Sequence, residues 1–232
     1  MKILGFIETS LVDWGKKVSS VIFVGGCNFK CPFCQNYPLV KESKKLKVWE
    51  WDEVKDKLIS KKNWIDGVVI SGGEPTIHPE IFGLLIKIKE LGFSTKIDTN
   101  GSFPYVVKEL IELGLIDYVA MDIKTALDER YYQACGRKIE LCLIKRTIQL
   151  LKESNIDYEF RTTLVPKLVG PEELTAIARE VTPAKSYVLQ QFVPQNARLA
   201  KFRNIKSYNK NDALKFQDLL QPYLSNVSLR GF

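Results

Sequence analysis

Short apolar runs alternate with helix-like segments along most of this chain, and that alternation restricts its fold more than any other feature. Six runs rich in Val, Ile, Tyr, Phe and Thr predict buried β-strands, at residues 19–25, 66–72, 93–99, 117–123, 157–165 and 186–192. The segments between them predict amphipathic helices, at residues 49–62, 78–91, 103–113, 140–154 and 171–181. A strand followed by a helix, repeated in this way, favours parallel strands joined by right-handed crossovers.

The number of these units decides which parallel fold is expected. A complete eightfold barrel usually needs about 250 residues, whereas this chain has 232 residues and six predicted strands. We therefore predict an α/β fold, an incomplete (β/α)6 TIM-like barrel with parallel strands that is open on one side. A doubly wound open sheet is the main alternative. We expect a single domain over residues 1–232, with a core at about 18–192 and a C-terminal extension at 193–232.

Charge and cysteine content narrow the classes of function. The N-terminal segment lacks a signal-peptide pattern and no apolar run is long enough to span a membrane, so we expect a cytoplasmic protein. Five cysteines, three of them clustered, point to metal or redox chemistry in a reducing compartment. The net charge of +7 comes from lysines scattered over helical segments, which favours a solvated basic face over nucleic-acid binding. Such a field would steer an acidic protein partner.

Polar residues follow each predicted strand at the point where it ends. In parallel α/β folds the chemistry gathers at the carboxyl ends of the strands, so these residues are candidates for the lining of a site. After the three cysteines they are Gly72, Gly73, Glu74, Asp98, Thr99, Asn100, Asp122, Lys124, Arg161, Gln190 and Gln191. A regular strand would point only one of the two glutamines toward the site.

Three cysteines, Cys27, Cys31 and Cys34, lie close together without a fourth nearby. Thiolates at this spacing, in a loop that begins with glycines, suit a soft metal ion or an iron-sulfur cluster. A zinc site would need a fourth ligand, and no candidate lies at a customary spacing; the candidates are Cys135, Cys142 and His78. A [4Fe-4S] cluster held by three cysteines leaves one iron open to an exogenous ligand. The missing fourth cysteine is therefore consistent with a functional vacancy.

The cysteine loop and the turn after the second strand resemble those of the radical S-adenosylmethionine enzymes. The shared features are CxxxCxxC directly after the first strand, Phe33 before the last cysteine, and "GGE" after the second strand. More narrowly, "ETSLVDW", "GGCNFKCPFCQN", "DGVVISGGEPT", "DTNGS", "DYVAMDIK", "DYEFRTTLVP" and "VLQQF" resemble activating enzymes of glycyl-radical enzymes, in particular those of anaerobic ribonucleoside-triphosphate reductase. The resemblance covers nearly the whole chain.

This resemblance implies a [4Fe-4S] cluster on the three cysteines, with S-adenosylmethionine chelating the open iron. One electron passed through the cluster would cleave the cosubstrate to methionine and a 5'-deoxyadenosyl radical. That radical would abstract a hydrogen from a glycine of a partner glycyl-radical enzyme. We expect flavodoxin or ferredoxin to supply the electron, because both tend to be acidic and this chain is basic. No group beyond the cluster and the cosubstrate would be catalytic, since the hard chemistry belongs to the cofactor.

The same resemblance implies roles for the lining residues. Gly72 and Gly73 would let the backbone approach the methionine moiety, and Glu74 would accept a hydrogen bond from its ammonium group. Asp98 and Lys124 would contact the ribose or the carboxylate end. The remaining members of the predicted cofactor-binding set are Phe33, Asn100, Asp122, Arg161 for the carboxylate, and Gln191 for the adenosine.

Some of these side chains also have simpler or additional interpretations. Asp122 and Lys124 could form a structural pair on one face of a strand. By resemblance to some relatives, Asp98 with Asp122 would hold a monovalent cation. Relatives commonly have a Pro-Gly pair after the early acid, whereas Asp13 is followed by Trp14, which weakens Asp13 as a substrate contact.

Two isolated cysteines and the histidine are expected to lie outside the chemistry. Cys135 and Cys142 are not accompanied by a second cysteine triplet, so we expect them to be buried and not to hold an auxiliary cluster. We expect His78 to be a cap or surface residue.

Two alternatives for the function remain. The first is a radical enzyme acting on a small molecule or peptide; the remote one is a metal-stabilised nucleic-acid-binding module, which the lack of basic and aromatic interleaving disfavours.

Overall fold

The computed structural model describes residues 1–232, which contain eight β-strands. They are β1 Ile3–Ser10, β2 Ser19–Val24, β3 Gly67–Gly72, β4 Ser94–Thr99, β5 Tyr118–Asp122, β6 Asp157–Leu164, β7 Tyr187–Gln191 and β8 Val227–Arg230. Their order in the sheet is β1 to β8, so β1 and β8 are edges and the sheet is open. A doubly wound sheet reverses its strand order at a switch point. This order does not reverse, which excludes that alternative and confirms the predicted fold class.

The nine α-helices include all five that the sequence predicts. They are α1 Tyr37–Val40, α2 Trp51–Ser60, α3 Ile81–Glu90, α4 Pro104–Glu112, α5 Arg130–Cys135, α6 Leu141–Glu153, α7 Pro171–Val181, α8 Ala200–Arg203 and α9 Lys210–Leu220. Short 3-10 helices cover Pro75–Ile77 and Pro194–Asn196. None of the helices combines the length and the apolar character needed to cross a membrane.

The pairing of the strands confirms the predicted parallel arrangement and adds an antiparallel edge. β2, β3 and β4 pair in parallel, and so do β6, β7 and β8. β1 pairs antiparallel with β2. The two edge strands β1 and β8 were not predicted, whereas all six predicted strands are present with bounds that differ by at most one residue at either end.

The chain divides into two compact units, residues 1–28, 36–99 and 105–119 in the first, and residues 29–35, 100–104 and 120–232 in the second. In the first unit Trp14 packs with Val21 and Val69, and Phe23 and Tyr118 cover this cluster. Trp14 lies in the connection after β1, so a residue outside the strands covers the apolar side chains of β2 and β3. Burial of such an aromatic side chain contributes about 3 kcal/mol at most.

The second unit packs helices with a clear apolar stripe against its strands. On α6 the buried residues are Ile144, Thr147, Ile148 and Leu151, which are spaced three and four apart on one face. α7 begins at a proline, and the Glu173 carboxylate accepts a hydrogen bond from the Gly170 N–H at 2.9 Å, which satisfies one of the free N–H groups at that end. At the start of α9, Asn209 and Asp212 cap each other's N–H groups at 3.0 Å.

Two glycines give a matched test of the packing in the first unit. A Cβ at Gly67 would lie 2.5 Å from the Trp14 ring and 2.6 Å from the Ser94 carbonyl oxygen, whereas a Cβ at Gly83, in α3, would meet no atom within 4 Å. We expect Gly67→Ala to lower the free energy of unfolding by about 1 to 3 kcal/mol because the core is overpacked. Gly83→Ala should raise it by about 0.5 to 1 kcal/mol. Urea unfolding measures both, and equal effects would contradict the described position of Trp14.

Candidate active site

The predicted site residues are divided between the two units. The first unit holds Cys27, Gly72, Gly73, Glu74 and Asp98, and the second holds Cys31, Phe33, Cys34, Asn100, Asp122, Lys124, Arg161 and Gln191. Most of these residues lie at or just after the carboxyl ends of strands, or in the loop that follows β2, whereas Arg161 lies within β6. The geometry inside each unit shows what these side chains do there.

In the first unit the turn after β3 is fastened to the loop that leads to Cys27. The Gly73 N–H donates to the Val24 carbonyl oxygen at 2.9 Å, and the Glu74 N–H donates to the Gly26 carbonyl oxygen at 2.9 Å. A Cβ at Gly73 would lie 1.6 Å from the Gly26 oxygen. No side chain fits in that space, so the glycine is required by the approach of two backbones. Gly72 also needs to be glycine, because its φ is +113°.

The Glu74 carboxylate is buried, with 1% of its surface exposed. It accepts hydrogen bonds from the Thr76 N–H at 3.1 Å, the Thr76 hydroxyl at 2.5 Å and the Thr99 hydroxyl at 2.7 Å. These bonds cap the 3-10 helix that follows and attach the end of β4 to the turn. Glu74 therefore has an internal structural role, and its predicted contact with an ammonium group stays a prediction.

Two polar side chains support the same backbone. The His78 ring donates from Nε2 to the Gly25 carbonyl oxygen at 2.8 Å, which requires the tautomer with the proton on Nε2. The Asn36 amide donates to the Gly72 carbonyl oxygen at 3.0 Å. His78 is half-buried and contacts the glycine pair that precedes Cys27, so it is neither a simple surface residue nor a base in this structure.

A buried lysine, Lys96, accompanies the predicted site residue Asp98 on β4. Its ammonium group is 3.5 Å from one Asp98 carboxylate oxygen and donates to the Asp13 carbonyl oxygen. The lysine is fully buried and lies 5.4 Å from the centre of the Tyr118 ring, a cation–π distance. The Ser71 hydroxyl donates to the other Asp98 oxygen at 2.9 Å. These contacts fix the Asp98 carboxylate, and the sequence analysis did not identify Lys96.

In the second unit, residues 29–35 carry two of the three clustered cysteines. The Cys34 N–H donates to the Cys31 carbonyl oxygen at 3.3 Å, and the Cys31 side chain is mostly buried. Phe33 between them is also buried. The Lys30 N–H donates to the Cys135 carbonyl oxygen at 2.8 Å, which ties the segment to the end of α5.

None of the three clustered cysteines forms a disulfide bond. Three soft sulfur donors in a short loop fit an iron-sulfur cluster by their chemistry. No group of three or more His, Cys, Asp or Glu side chains is arranged to hold a metal ion as the side chains stand. Ligation by Cys27, Cys31 and Cys34 therefore stays a prediction from the donor set.

A row of alternating charges in the second unit begins at Lys124, just after β5, and continues with side chains of β5, β6 and β8. Lys124 contacts one Asp122 oxygen at 2.9 Å, and Arg161 donates to the other at 2.7 Å. Glu159 is 4.0 Å from Arg161 and receives two hydrogen bonds from Arg230, at 3.1 and 3.0 Å. The row has three cations and two anions, so it carries one excess positive charge.

Asp122 and Lys124, neighbours at one end of this row, influence each other's proton affinity. Burial by itself would raise the pKa of Asp122, but the charges of Arg161 and Lys124 outweigh it and hold the pKa well below the usual carboxyl range. Burial would likewise lower the pKa of Lys124, but Asp122, and after it the Cys31 thiolate, raises it above its usual range. Both groups stay charged at neutral pH.

Glu159 and Arg230 were not among the predicted site residues. Glu159 lies two positions before Arg161 on the same face of β6, so strand periodicity could have indicated it. Arg230 is on β8, where the pairing of Gln190 with Arg230 brings it beside β7. A four-residue strand near the end of the chain gives too short a pattern for this to be predicted.

The remaining predicted residues have local partners. The Asn100 side chain accepts hydrogen bonds from the Ser102 N–H at 3.0 Å and its hydroxyl at 2.6 Å, which forms a turn after β4. Gln191 donates to the Tyr208 carbonyl oxygen at 3.4 Å. Because Arg161 pairs with Val188 and Thr163 with Gln190, the register places Gln190 on the face that carries Arg161. It therefore favours Gln190 for that side, and the contact of Gln191 stays a prediction.

The expectation that Cys135 and Cys142 are both buried is correct for the first and wrong for the second. Cys135 is fully buried at the end of α5, and burial raises the pKa of its thiol. Cys142 is exposed. It lies two residues before the buried Ile144 on α6, and about 200° of helical rotation separates the two side chains.

The charge row gives a testable prediction about stability. Glu159→Gln should lower the free energy of unfolding by roughly 3 kcal/mol, because Arg161 and Arg230 lose the anion between them in a buried setting. Glu172→Gln is the matched control: Glu172 pairs with Arg130 at 2.7 Å, but its side chain is 81% exposed, and such pairs contribute less than about 1 kcal/mol. Urea unfolding of both variants measures the difference in the free energy of unfolding. Similar losses would show that the charge row contributes no more to stability than an exposed ion pair.

Comparison with known proteins places this geometry in a family. The model of the radical SAM superfamily matches residues 21–181. A Methanocaldococcus jannaschii protein that carries the provisional name of a glycyl-radical enzyme activating enzyme is 38% identical over 97% of this chain and 94% of its own length. The pyruvate formate-lyase-activating enzyme of Clostridium pasteurianum is 36% identical over 55% of this chain and 54% of its own.

A solved structure supports the fold. Streptococcus suis SuiB, crystallised with S-adenosylmethionine, superimposes with a TM-score of 0.67 over 91% of this chain and 52% of its own, at 18% identity. The match of the family model over most of the chain and the full-length relative agree with the cysteine loop and the glycine turn described above. This chain therefore belongs to the radical SAM superfamily and, within it, to the glycyl-radical enzyme activating enzymes.

Proposed function

We propose that this enzyme reductively cleaves S-adenosylmethionine at a [4Fe-4S] cluster on Cys27, Cys31 and Cys34, and that it removes a hydrogen atom from a backbone glycine of a partner enzyme. The observation that carries the proposal is the fastening of the Gly73–Glu74 turn to the Gly26 backbone next to Cys27. The two motifs that characterise the family form a single structural element here. The cluster, when bound, supplies the electron for cleavage.

The charges of the second unit support a role in binding the cosubstrate. Lys124 and Arg161 both contact Asp122, and the row that they belong to has one positive charge in excess. A planar guanidinium group beside such a row suits the carboxylate of the methionine moiety. Asp122 would hold both cations in place.

In the first unit, Asp98 would contact the ribose, with Ser71 and Lys96 fixing its carboxylate. Backbone carbonyl groups beside Gly72 and Gly73 would receive the ammonium group of the methionine moiety.

The protein substrate follows from the family. The relatives named above are activating enzymes of glycyl-radical enzymes, and we propose anaerobic ribonucleoside-triphosphate reductase as the partner because the subfamily strings resemble its activating proteins. The whole chain, residues 1–232, would act as one domain in this reaction.

Loss of a cluster ligand provides the first test. Anaerobically reconstituted protein should bind about four irons per chain and, with dithionite, convert S-adenosylmethionine to 5'-deoxyadenosine. Cys31→Ala should lower this activity at least about 100-fold and should bind much less iron than the unchanged protein. Cys142→Ala is the control, because that thiol is exposed and lies outside the cysteine loop. Undiminished cleavage by Cys31→Ala would refute the assignment.

The partner is tested by electron paramagnetic resonance. Reduced protein and S-adenosylmethionine, mixed with candidate glycyl-radical enzymes, should produce a glycine-centred doublet with anaerobic ribonucleoside-triphosphate reductase. If cleavage proceeds but no candidate gives the doublet, the alternative of a small-molecule or peptide substrate gains support.

A further inference from the structure

The second unit has a concavity of about 470 Å³ that the site described above does not use. It lies where residues 29–35, the end of α5 and the segment around α8 come together. Its lining residues are Lys30, Pro32, Gln133, Gly136, Leu168, Arg198, Leu199, Lys201 and Phe202. Three of them are cations, four are apolar and none is acidic.

The charges of this concavity lie at its exposed edge. Lys30 and Lys201 are exposed side chains, and the Lys201 ammonium group lies 5.7 Å from the Phe202 ring centre. Phe202 and Pro32 are buried beneath. An apolar floor with a cationic rim suits an acidic surface that also offers some apolar contact.

The concavity is built directly on the segment that carries Cys31. Lys30 and Pro32, which line it, are the two chain neighbours of that cysteine. The Arg198 guanidinium donates to the Lys30 carbonyl oxygen at 2.7 Å, and the Leu199 N–H donates to the Pro32 carbonyl oxygen at 2.9 Å. These two hydrogen bonds attach the residues before and after Cys31 to Arg198 and Leu199, which also line the concavity.

The residue that follows α5, Gly136, also lies close to the backbone of this segment. Gly136, also in the lining, has a φ of +72°, and a Cβ there would lie 2.2 Å from the Lys30 carbonyl oxygen. Nothing larger than glycine fits. The structure therefore keeps the Cys31 segment at this concavity, with its two chain neighbours in the lining.

We propose that this concavity is the docking surface for an acidic protein that donates single electrons. The proposal rests on the function proposed above, because a donor needs a redox centre to reduce. The donor is oxidised by one electron, and the S–C5' bond of S-adenosylmethionine breaks: of the two bonding electrons and the added one, two would remain on the sulfur of methionine and one on C5' of the 5'-deoxyadenosyl radical. Proteins of this kind form small, transient interfaces, in which charge steering has a large share.

Charge reversal at the rim tests the surface. Lys30→Glu with Lys201→Glu changes two exposed lysines without touching the hydrogen bonds of Arg198. The matched control is Lys210→Glu with Lys215→Glu, two exposed lysines of α9 in the same unit but outside the lining, with the same change in net charge. Reduced flavodoxin and reduced ferredoxin are the probes, and their dissociation constants are measured by calorimetry at low and at raised ionic strength.

The rim variant should weaken binding of the donor about tenfold at low ionic strength, and raised ionic strength should reduce the difference. The control should change binding by less than about twofold. With dithionite as reductant, both variants should form 5'-deoxyadenosine at the unchanged rate, since a small reductant needs no docking.

Three results would overturn the proposal. The first is binding of neither donor by the unchanged chain, and the second is an equal loss in the rim variant and in the control. The third is loss of glycyl-radical formation under dithionite with donor binding intact, which would assign the concavity to the protein substrate. Failure of the unchanged protein to cleave S-adenosylmethionine with dithionite would contradict the proposed function alone, and the binding constants would still decide the docking surface.

Discussion

The contact between two backbones, at Gly73 and Gly26, is the constraint on which the first unit's part of the site depends. Two hydrogen bonds of 2.9 Å join the turn after β3 to the end of β2 and its loop, and a Cβ at Gly73 would be 1.6 Å from an oxygen. Glycine is required there for packing. The same close fit leaves the backbone carbonyl groups of the turn near the carboxyl edge of the strands, where parallel α/β folds bind ligands. One geometric requirement thus accounts for the glycines and for the position of Cys27.

In the second unit, compensation between opposite charges holds the predicted site residues in place, as backbone packing does in the first unit. Asp122, Arg161 and Glu159 are carboxylate and guanidinium groups that would each be costly to bury alone. Arranged with alternating sign, they compensate one another, and Lys124 and Arg230 complete the row at its two ends. The excess of one positive charge is the physical basis for proposing that an anionic group of the cosubstrate binds there. In the first unit, Lys96 compensates Asp98 in the same manner.

The sequence predicted the repeated strands and helices well because their signals are local and long. What it missed depends on contacts between distant segments. Lys96 lies in a strand where a lysine normally indicates an exposed face, and only the Asp13 carbonyl, Asp98 and the Tyr118 ring explain its burial. Strands β1 and β8 are edges whose pairing partners are needed to recognise them. The position of Cys142 was predictable, since the phase of α6 turns it away from Ile144.

The cysteine segment of the second unit has two different surroundings, and this asymmetry links the site to its supply of electrons. On one side the charge of the Cys31 thiolate acts on the partly buried Lys124, whose pKa it helps to raise. On the other, Lys30 and Pro32 reach an exposed concavity with cations at its rim. A redox group held at Cys31 would therefore meet the charges of Lys124 and Asp122, where we propose that the cosubstrate binds, and an accessible basic surface, where we propose that a donor docks. Because the two proposed contacts use different residues around one short segment, reduction and cosubstrate binding would not compete for the same side chains.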